Sequence, residues 1–288
     1  MNGNFAWLRR VAVTVLAVVA ALAVARELWI YYVESPWTRD GHVRAEVIQV
    51  APDVSGLVAE VLVRDNQKVR RGDVLFRIDR ERFALALQQA DAAIAGHLAA
   101  LDQASADLKR YGALSTDAVS RQKQEQVLAA QLQAKAAYDQ SIADRAVAQL
   151  NFDRSEVRAS VNGTITNMDI RPGSYVTAGK GVTALVETDT LRVEGYFEET
   201  KLARIHVGDK VRISLMGEPV RFTGHVESIA AGIEDRDRTE GASLLANVNP
   251  TFNWVRLAQR VPVRIELDYV PENIALVAGR SATVEVSN

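Results

Sequence analysis

The chain has no cysteine. That excludes disulfide staples, thiolate metal sites, a cysteine nucleophile and a lipidated N-terminal cysteine. Histidine is scarce, at four residues, and His42, His97, His206 and His225 show no H-x-x-x-H or H-E-x-x-H spacing. No metal site and no catalytic residue is expected; His97 reads as a polar break in a helix seam. Excess charge of either sign is lacking too: the net charge is −2 and the pI about 6.1, so nothing favours a nucleic-acid surface. Gly179-Lys180-Gly181 lacks the phosphate-loop pattern, and Ser160, Ser174 and Ser214 lack a nucleophile-elbow context. Glu198-Glu199 are adjacent and do not face each other on a helix; they suit a first turn near the dipole. Glu234 to Arg238 reads as a solvated loop. The expectation is a protein that is not an enzyme and holds no cofactor.

One long apolar run is present, and it decides the compartment. Arg9 and Arg10 precede Val11 to Ala25, which carries no charge, glycine or proline. Trp7 stands at one end, and Trp29, Tyr31, Tyr32 and Trp37 at the other. From Trp7 to Trp29 a helix spans ~33 Å, close to a bilayer core of ~30 Å. Aromatic belts and amino-side arginines predict a signal anchor, N-terminus in the cytoplasm and the rest outside. Arg26 has to snorkel outward or pair with Glu27. The rival reading is a signal peptide cut after Ala23-Val24-Ala25. Both export everything after residue 35.

The most informative feature is a motif written twice. Gly56, Val58, Val61, Val63, Asn66, Val69 and Gly72 recur, from Gly56 to Gly163 at a constant offset of 107, as Gly163, Ile165, Met168, Ile170, Gly173, Val176 and Gly179. Each copy reads as strand, turn, strand. Arg171-Pro172-Gly173-Ser174 has the chemistry of a turn whose third residue needs positive φ, and Asn66 takes the place of Gly173. Gly56, Gly72, Gly163, Gly173 and Gly179 are expected as structural turn glycines. About 30 residues cannot bury a core alone, so the halves are expected to close on each other as one small sandwich.

Between the copies lie about 75 residues rich in Ala, Gln and Leu, with no proline. Phe83, Leu87, Ala90, Ile94, Leu101, Ala104, Leu108 and Tyr111 form a heptad seam on one helix. The chain breaks at 112–119, and Ser120 is a candidate N-cap for a return helix. On that second helix one stripe is Leu128, Leu132, Tyr138, Ile142 and Phe152; another, of small residues, is Ala130, Ala134, Ala137 and Ala148. Such a hairpin is thin and is expected to pack on copies of itself or on a partner.

The fold class expected is mainly β with an α-helical hairpin. Residues 1–35 are the transmembrane signal anchor. A linker covers 34–41. Residues 42–50 read as a strand that joins 188–288 in a small β-barrel, 51–79 and 156–187 are the split β sandwich, and 80–155 the antiparallel coiled-coil hairpin. Pro262 demotes the start of its strand to an edge or a bulge.

The doubled motif resembles the split biotinyl/lipoyl-like domain of membrane fusion proteins, the periplasmic adaptors of tripartite efflux pumps. In that family a helical hairpin interrupts the lipoyl domain and a barrel follows. The segments Glu34 to Asp40, Ala51 to Gly56, Glu198 to Leu202 and Trp254 to Arg264 are similar to those of adaptors for aromatic carboxylic acid (p-hydroxybenzoate) efflux. The resemblance implies a non-catalytic adaptor in the inner membrane of a Gram-negative cell, with its bulk in the periplasm. Its partners would be an inner-membrane efflux transporter, an outer-membrane channel of the TolC type, and copies of itself in a ring. In many members the hairpin tip carries an Arg, a Leu four residues on and a Ser seven further. Arg110 and Leu114 fit; Ser120 lies six beyond Leu114, one short, and a plain helix cap is its other reading. A multidrug-efflux adaptor or an adaptor of ABC-type secretion remain open, the latter disfavoured by the short hairpin. A biotin or lipoyl carrier is the distant reading, since carriers keep both halves contiguous.

Overall fold

The computed structural model describes residues 3–29, 35–114, 120–233, 238–240, 246–248, 258–270 and 274–287. Tyr31, Tyr32, Trp254 and most of the 234–238 loop lie outside the described residues. The described chain divides into two compact units, Met1–Glu46 with Thr190–Asn288, and Val47–Asp189.

Helix α1 runs Gly3–Trp29. Its Val11–Trp29 portion is long and apolar enough to cross a membrane, and its side chains are exposed. Arg26 pairs with Glu27 at 3.4 Å, the local neutralisation that an arginine at the end of an apolar run requires.

In the same unit, strands β1 (Trp37–Arg44), β10 (Arg192–Glu198), β11 (Lys210–Leu215), β12 (Arg221–Ile229), β15 (Arg260–Leu267) and β16 (Ser281–Ser287) close a barrel in the order β1-β10-β15-β12-β11-β16. Val43, Val193, Ile213, Val226, Ile265 and Val284 point inward and are fully buried, as period-two alternation dictates. A two-stranded piece pairs β13 (Arg238–Glu240) with β14 (Ala246–Val248). Two expectations change here. The strand read as 42–50 is two: β1 starts earlier, inside the expected linker, and ends at Arg44, while Val47–Val50 belongs to the other unit. Linker composition misled because Thr38 and Gly41 serve the barrel; the Thr38 hydroxyl donates to the Tyr196 carbonyl at 2.8 Å. Pro262 is on no edge, since β15 pairs on both sides. Its carbonyl accepts from Ala230 N–H at 3.0 Å, one residue past the end of β12. The other half of the expectation, a bulge, has a counterpart in the β12–β15 register shift between Val226 and Ser228, opposite Ile265 and Arg264.

The second unit holds β2 (Val47–Val50), β3 (Gly56–Val61), β4 (Lys68–Val69), β5 (Val74–Ile78), α2 (Arg80–Gly112), α3 (Arg121–Arg154), β6 (Glu156–Arg158), β7 (Gly163–Thr166), β8 (Tyr175–Val176) and β9 (Thr183–Glu187). Two four-stranded sheets, β2-β9-β7-β4 and β6-β5-β3-β8, face each other. The repeat becomes an exchange between halves. Gly56 of β3 sits opposite Val176 of β8, and Gly163 of β7 opposite Val69 of β4. Hydrogen bonds follow the same rule. Gly173 N–H donates to Val58 O at 2.8 Å, and Asn66 N–H to Ile165 O at 2.9 Å. Val58 N–H donates to Ser174 O at 2.8 Å, and Ile165 N–H to Gln67 O at 3.0 Å. Val58, Val69, Ile165 and Val176 are buried in one core with Leu75, Phe76, Ile78 and Leu185. Each half pairs part of its backbone within itself, β3 with β5 and β7 with β9, and completes its pairing and its core against the other.

Candidate functional site at the helical arm

Helices α2 and α3, of 33 and 34 residues, are each about 50 Å long. They pack on each other and run antiparallel. Asp91 near the start of α2 meets Arg145 near the end of α3 at 3.0 Å, while the Lys123 ammonium at the start of α3 lies over the Tyr111 ring at the end of α2. On α2, Phe83, Leu87, Ala90, Ile94, Leu101, Ala104, Leu108 and Tyr111 are buried or half-buried, and the seam lapses at His97 and Leu98, both exposed.

On α3 the two expected stripes each supply part of the sheltered face: Tyr138 and Phe152 come from the large-residue stripe, Ala134 and Ala148 from the small-residue one. Leu128, Leu132 and Ile142 are 46%, 56% and 43% exposed. The sheltered positions are Val127, Gln131, Ala134, Tyr138, Ser141, Arg145, Ala148 and Phe152, spaced four and three alternately. Small side chains at 134, 141 and 148 let the helix backbones approach, with the larger residues supplied by α2. The Ser141 hydroxyl is satisfied inside its own helix by the Tyr138 carbonyl at 2.7 Å, so burying it leaves no orphan.

The far end of this arm carries Arg110, Leu114 and Ser120. Arg110 lies in the last turn of α2 and pairs with Asp107 at 3.0 Å, its side chain 70% exposed. Leu114 follows the helix end and is exposed. Ser120 is the N-cap of α3, its hydroxyl accepting from Lys123 N–H at 3.3 Å. The cap role is therefore occupied. Residues 115–119, between Leu114 and Ser120, lie outside the described residues.

The near end is a charged root that sequence reading missed. Glu156, on β6 just after α3, accepts from Arg77 Nε at 3.0 Å and Arg80 Nη1 at 2.6 Å, and pairs also with Arg158. Arg77 additionally pairs with Glu60. The Arg80 guanidinium stacks on the Phe152 ring 4.2 Å away. The Glu156 side chain is 12% exposed. Burial acts to raise its pKa, but the Arg158 hydrogen bond and the charges of Arg80 and Arg77 outweigh that and hold it below the ordinary carboxylate range. Hydrogen bonds that Arg77 donates to its partner carboxylates, Glu60 foremost, raise its pKa. Asp79 caps α2 by accepting from Glu81 N–H at 3.1 Å, and Ile78 N–H donates to Ser155 O at 2.9 Å. The chain leaves and re-enters the sandwich at hydrogen-bonded neighbours. The available signal was a cluster of opposite charges, Arg77, Arg80, Glu156 and Arg158, flanking the helical insertion.

The five repeat glycines fall into two kinds. Gly72, Gly173 and Gly179 have φ of +93°, +89° and +77°. Gly56 and Gly163 do not; they open strands β3 and β7 rather than turns. A Cβ on Gly163 would strike the Val186 carbonyl and come within 2.9 Å of Leu185 Cδ1; on Gly56 it would meet Ile78 Cγ2 at 2.6 Å. The histidines do not converge. His42 bonds Asp40 at 3.2 Å, His206 lies 3.6 Å from Asp209, and His97 is exposed on α2. His225 bonds Asp268 at 2.8 Å, which raises its pKa.

Residues 46–188 match the family model of the barrel-sandwich hybrid domain of RND membrane fusion proteins, and residues 190–287 that of the AAEA-like beta-barrel domain. The chain belongs to the membrane fusion proteins. The membrane fusion protein Spr0693 from Streptococcus pneumoniae R6 has a similar fold, with a TM-score of 0.65 at 20% identity over 88% of this chain and 99% of that one. MacA from Actinobacillus actinomycetemcomitans matches with a TM-score of 0.62 at 17% identity, over 88% and 79%. A MacA-MexA chimera carrying the Pseudomonas aeruginosa MexA α-hairpin domain matches at 0.55 and 19%, over 88% and 81%. In this membrane fusion protein the long helices thus interrupt a barrel-sandwich hybrid domain, whose two halves hold their ends.

Proposed function

We propose that the protein is the periplasmic adaptor of a tripartite efflux pump, anchored in the inner membrane by α1. It couples an inner-membrane transporter to an outer-membrane channel. The observation that carries this reading is the arm: two helices of 33 and 34 residues leave and re-enter the sandwich at adjacent, hydrogen-bonded positions. An arm of about 50 Å with no catalytic constellation among its described residues suits reach. The domain assignment that follows is anchor, barrel with β1, split lipoyl-like sandwich and coiled-coil hairpin. The uncovered strip of Leu128, Leu132 and Ile142 supports assembly of neighbouring arms into a ring. Aromatic carboxylic acids are the cargo we favour; the AAEA-like barrel match at residues 190–287 supports it.

The tip supplies the test. Leu114 is exposed past the helix end, so Leu114→Asp removes an apolar docking contact without touching a core. We expect resistance to toxic aromatic carboxylic acids to fall to that of a deletion strain, with the anchored protein level unchanged. Undiminished resistance in the variant would overturn the docking role. Sensitivity of the deletion strain to lipophilic drugs, with none to aromatic acids, would replace the cargo with a multidrug one.

A further inference from the structure

Strand β1 begins at Trp37, eight residues after α1 ends at Trp29. An extended chain covers at most about 3.5 Å per residue, so this end of the barrel is tethered within about 28 Å of wherever α1 ends. At that end the Trp37 ring lies between two cations, the Arg39 guanidinium and the Lys201 ammonium, each 5.4 Å from the ring centroid. Cation–π contact holds a cation without cancelling its charge. Among the described residues no carboxylate pairs with Arg39 or Lys201. Asp40, the neighbouring acid, is engaged by Arg260 and His42. The cleft is lined by four cations, Arg39, Lys201, Arg204 and Arg260, against two carboxylates, Asp40 and Glu198. Among the described residues, the two like charges gathered on one indole, beside a tether to an apolar helix, have no carboxylate counter-ion.

We propose that this face of the barrel docks on the phosphodiester headgroups of anionic phospholipids in the membrane that holds α1. The proposal rests on the anchor reading above. An indole suits headgroup depth, the cations supply the charge, and the tether makes the contact intramolecular, so modest affinity suffices. The contact orients the barrel on the membrane before any protein partner arrives.

The chain has no cysteine, so Thr200→Cys, on the same cleft, gives a unique labelling site. The full-length labelled protein is placed in nanodiscs of phosphatidylcholine alone or mixed with phosphatidylglycerol, each with a headgroup-labelled acceptor lipid. Energy transfer should be high in the anionic discs and low in the neutral ones. Basic residues near an anionic surface contribute about fivefold each, so Arg39→Gln with Lys201→Gln should lower the docking equilibrium about 25-fold. Strong salt should act likewise. Equal transfer in neutral and anionic discs, or an undisturbed double variant, overturns the proposal. A label response to inorganic phosphate or 4-hydroxybenzoate in neutral discs, without docking in anionic ones, assigns the cleft to a soluble anion instead. Docking that depends on the added transporter and not on lipid charge assigns it to protein. Protein eluting free of lipid would overturn the anchor reading itself, an outcome distinct from anchored protein that fails to dock.

Discussion

Gly163 and Gly173 lie ten residues apart in one repeat half, and different physics holds each. Gly173 needs its backbone angle: it is the third residue of a turn closed by Ser174 N–H on Arg171 O at 2.9 Å, with φ +89° and open space where a Cβ would stand. Its repeat partner Asn66 has φ +60° in a turn closed by Gln67 N–H on Arg64 O at 3.2 Å. Asn tolerates this region better than other side chains, so Gly173→Asn should cost under about 1 kcal/mol. Gly163 needs its missing side chain, because the Val186 backbone occupies that volume. Gly163→Ala should cost about 1–3 kcal/mol, the range for overpacking a site that cannot give, and Gly163→Val should unfold the sandwich. Urea unfolding of the three variants checks the ordering; Gly173→Asn as damaging as Gly163→Ala would refute it. The glycine positions were legible from the repeat, whereas the reason at each was not. A motif shows that a Cβ is excluded, and only the neighbouring strand shows whether angle or volume excludes it.

At the scale of elements, the arm depends on its root more than on its seam. The α2 seam was legible because large residues recur at heptad spacing; the facing stripe of α3 was legible only in part, as Ala134, Tyr138, Ala148 and Phe152 divided between two stripes, because Ser141 carries no apolar signal and the more hydrophobic Leu128, Leu132 and Ile142 turn outward. A seam of small residues buries modest area, so the arm gains from the carboxylate that ties its two ends. Glu156→Gln keeps the shape and removes the charge that faces Arg77, Arg80 and Arg158. The root is partly open to water, so the expected loss at neutral pH is of order 1 kcal/mol. Since the folded pKa of Glu156 is depressed, its contribution is present above the unfolded carboxylate value of about 4.3 and is lost as pH falls through the folded value. Wild type and variant should therefore differ at pH 7 and converge in acid. Helix melting followed by circular dichroism at both pH values tests this; a difference that persists undiminished in acid would rule out the carboxylate as its source.

Across the whole molecule, nesting lets one domain hold another's ends. The split sandwich was legible because its two copies are alike and each is too small to fold alone; the division of residues 42–50 between two units was not, because one alternating run continues across a change of partner. The exchange of strands between halves, β3 with β8 and β7 with β4, makes contacts that do not involve the arm. Ile78 and Ser155 are already hydrogen-bonded neighbours, so the gap left by removing 80–154 is one a short turn closes. Asp79 joined to Ser155 through Asn-Gly, a pair suited to a tight connection between antiparallel strands, should give a sandwich that still folds and resists protease. The loop that nucleation must close becomes much shorter, which favours folding slightly. The excised protein should reach the membrane at normal levels and confer no resistance at all. A sandwich that unfolds without the arm would show that the helices hold the halves together, reversing the dependence argued from the strand exchange. Full resistance without the arm would remove the adaptor reading.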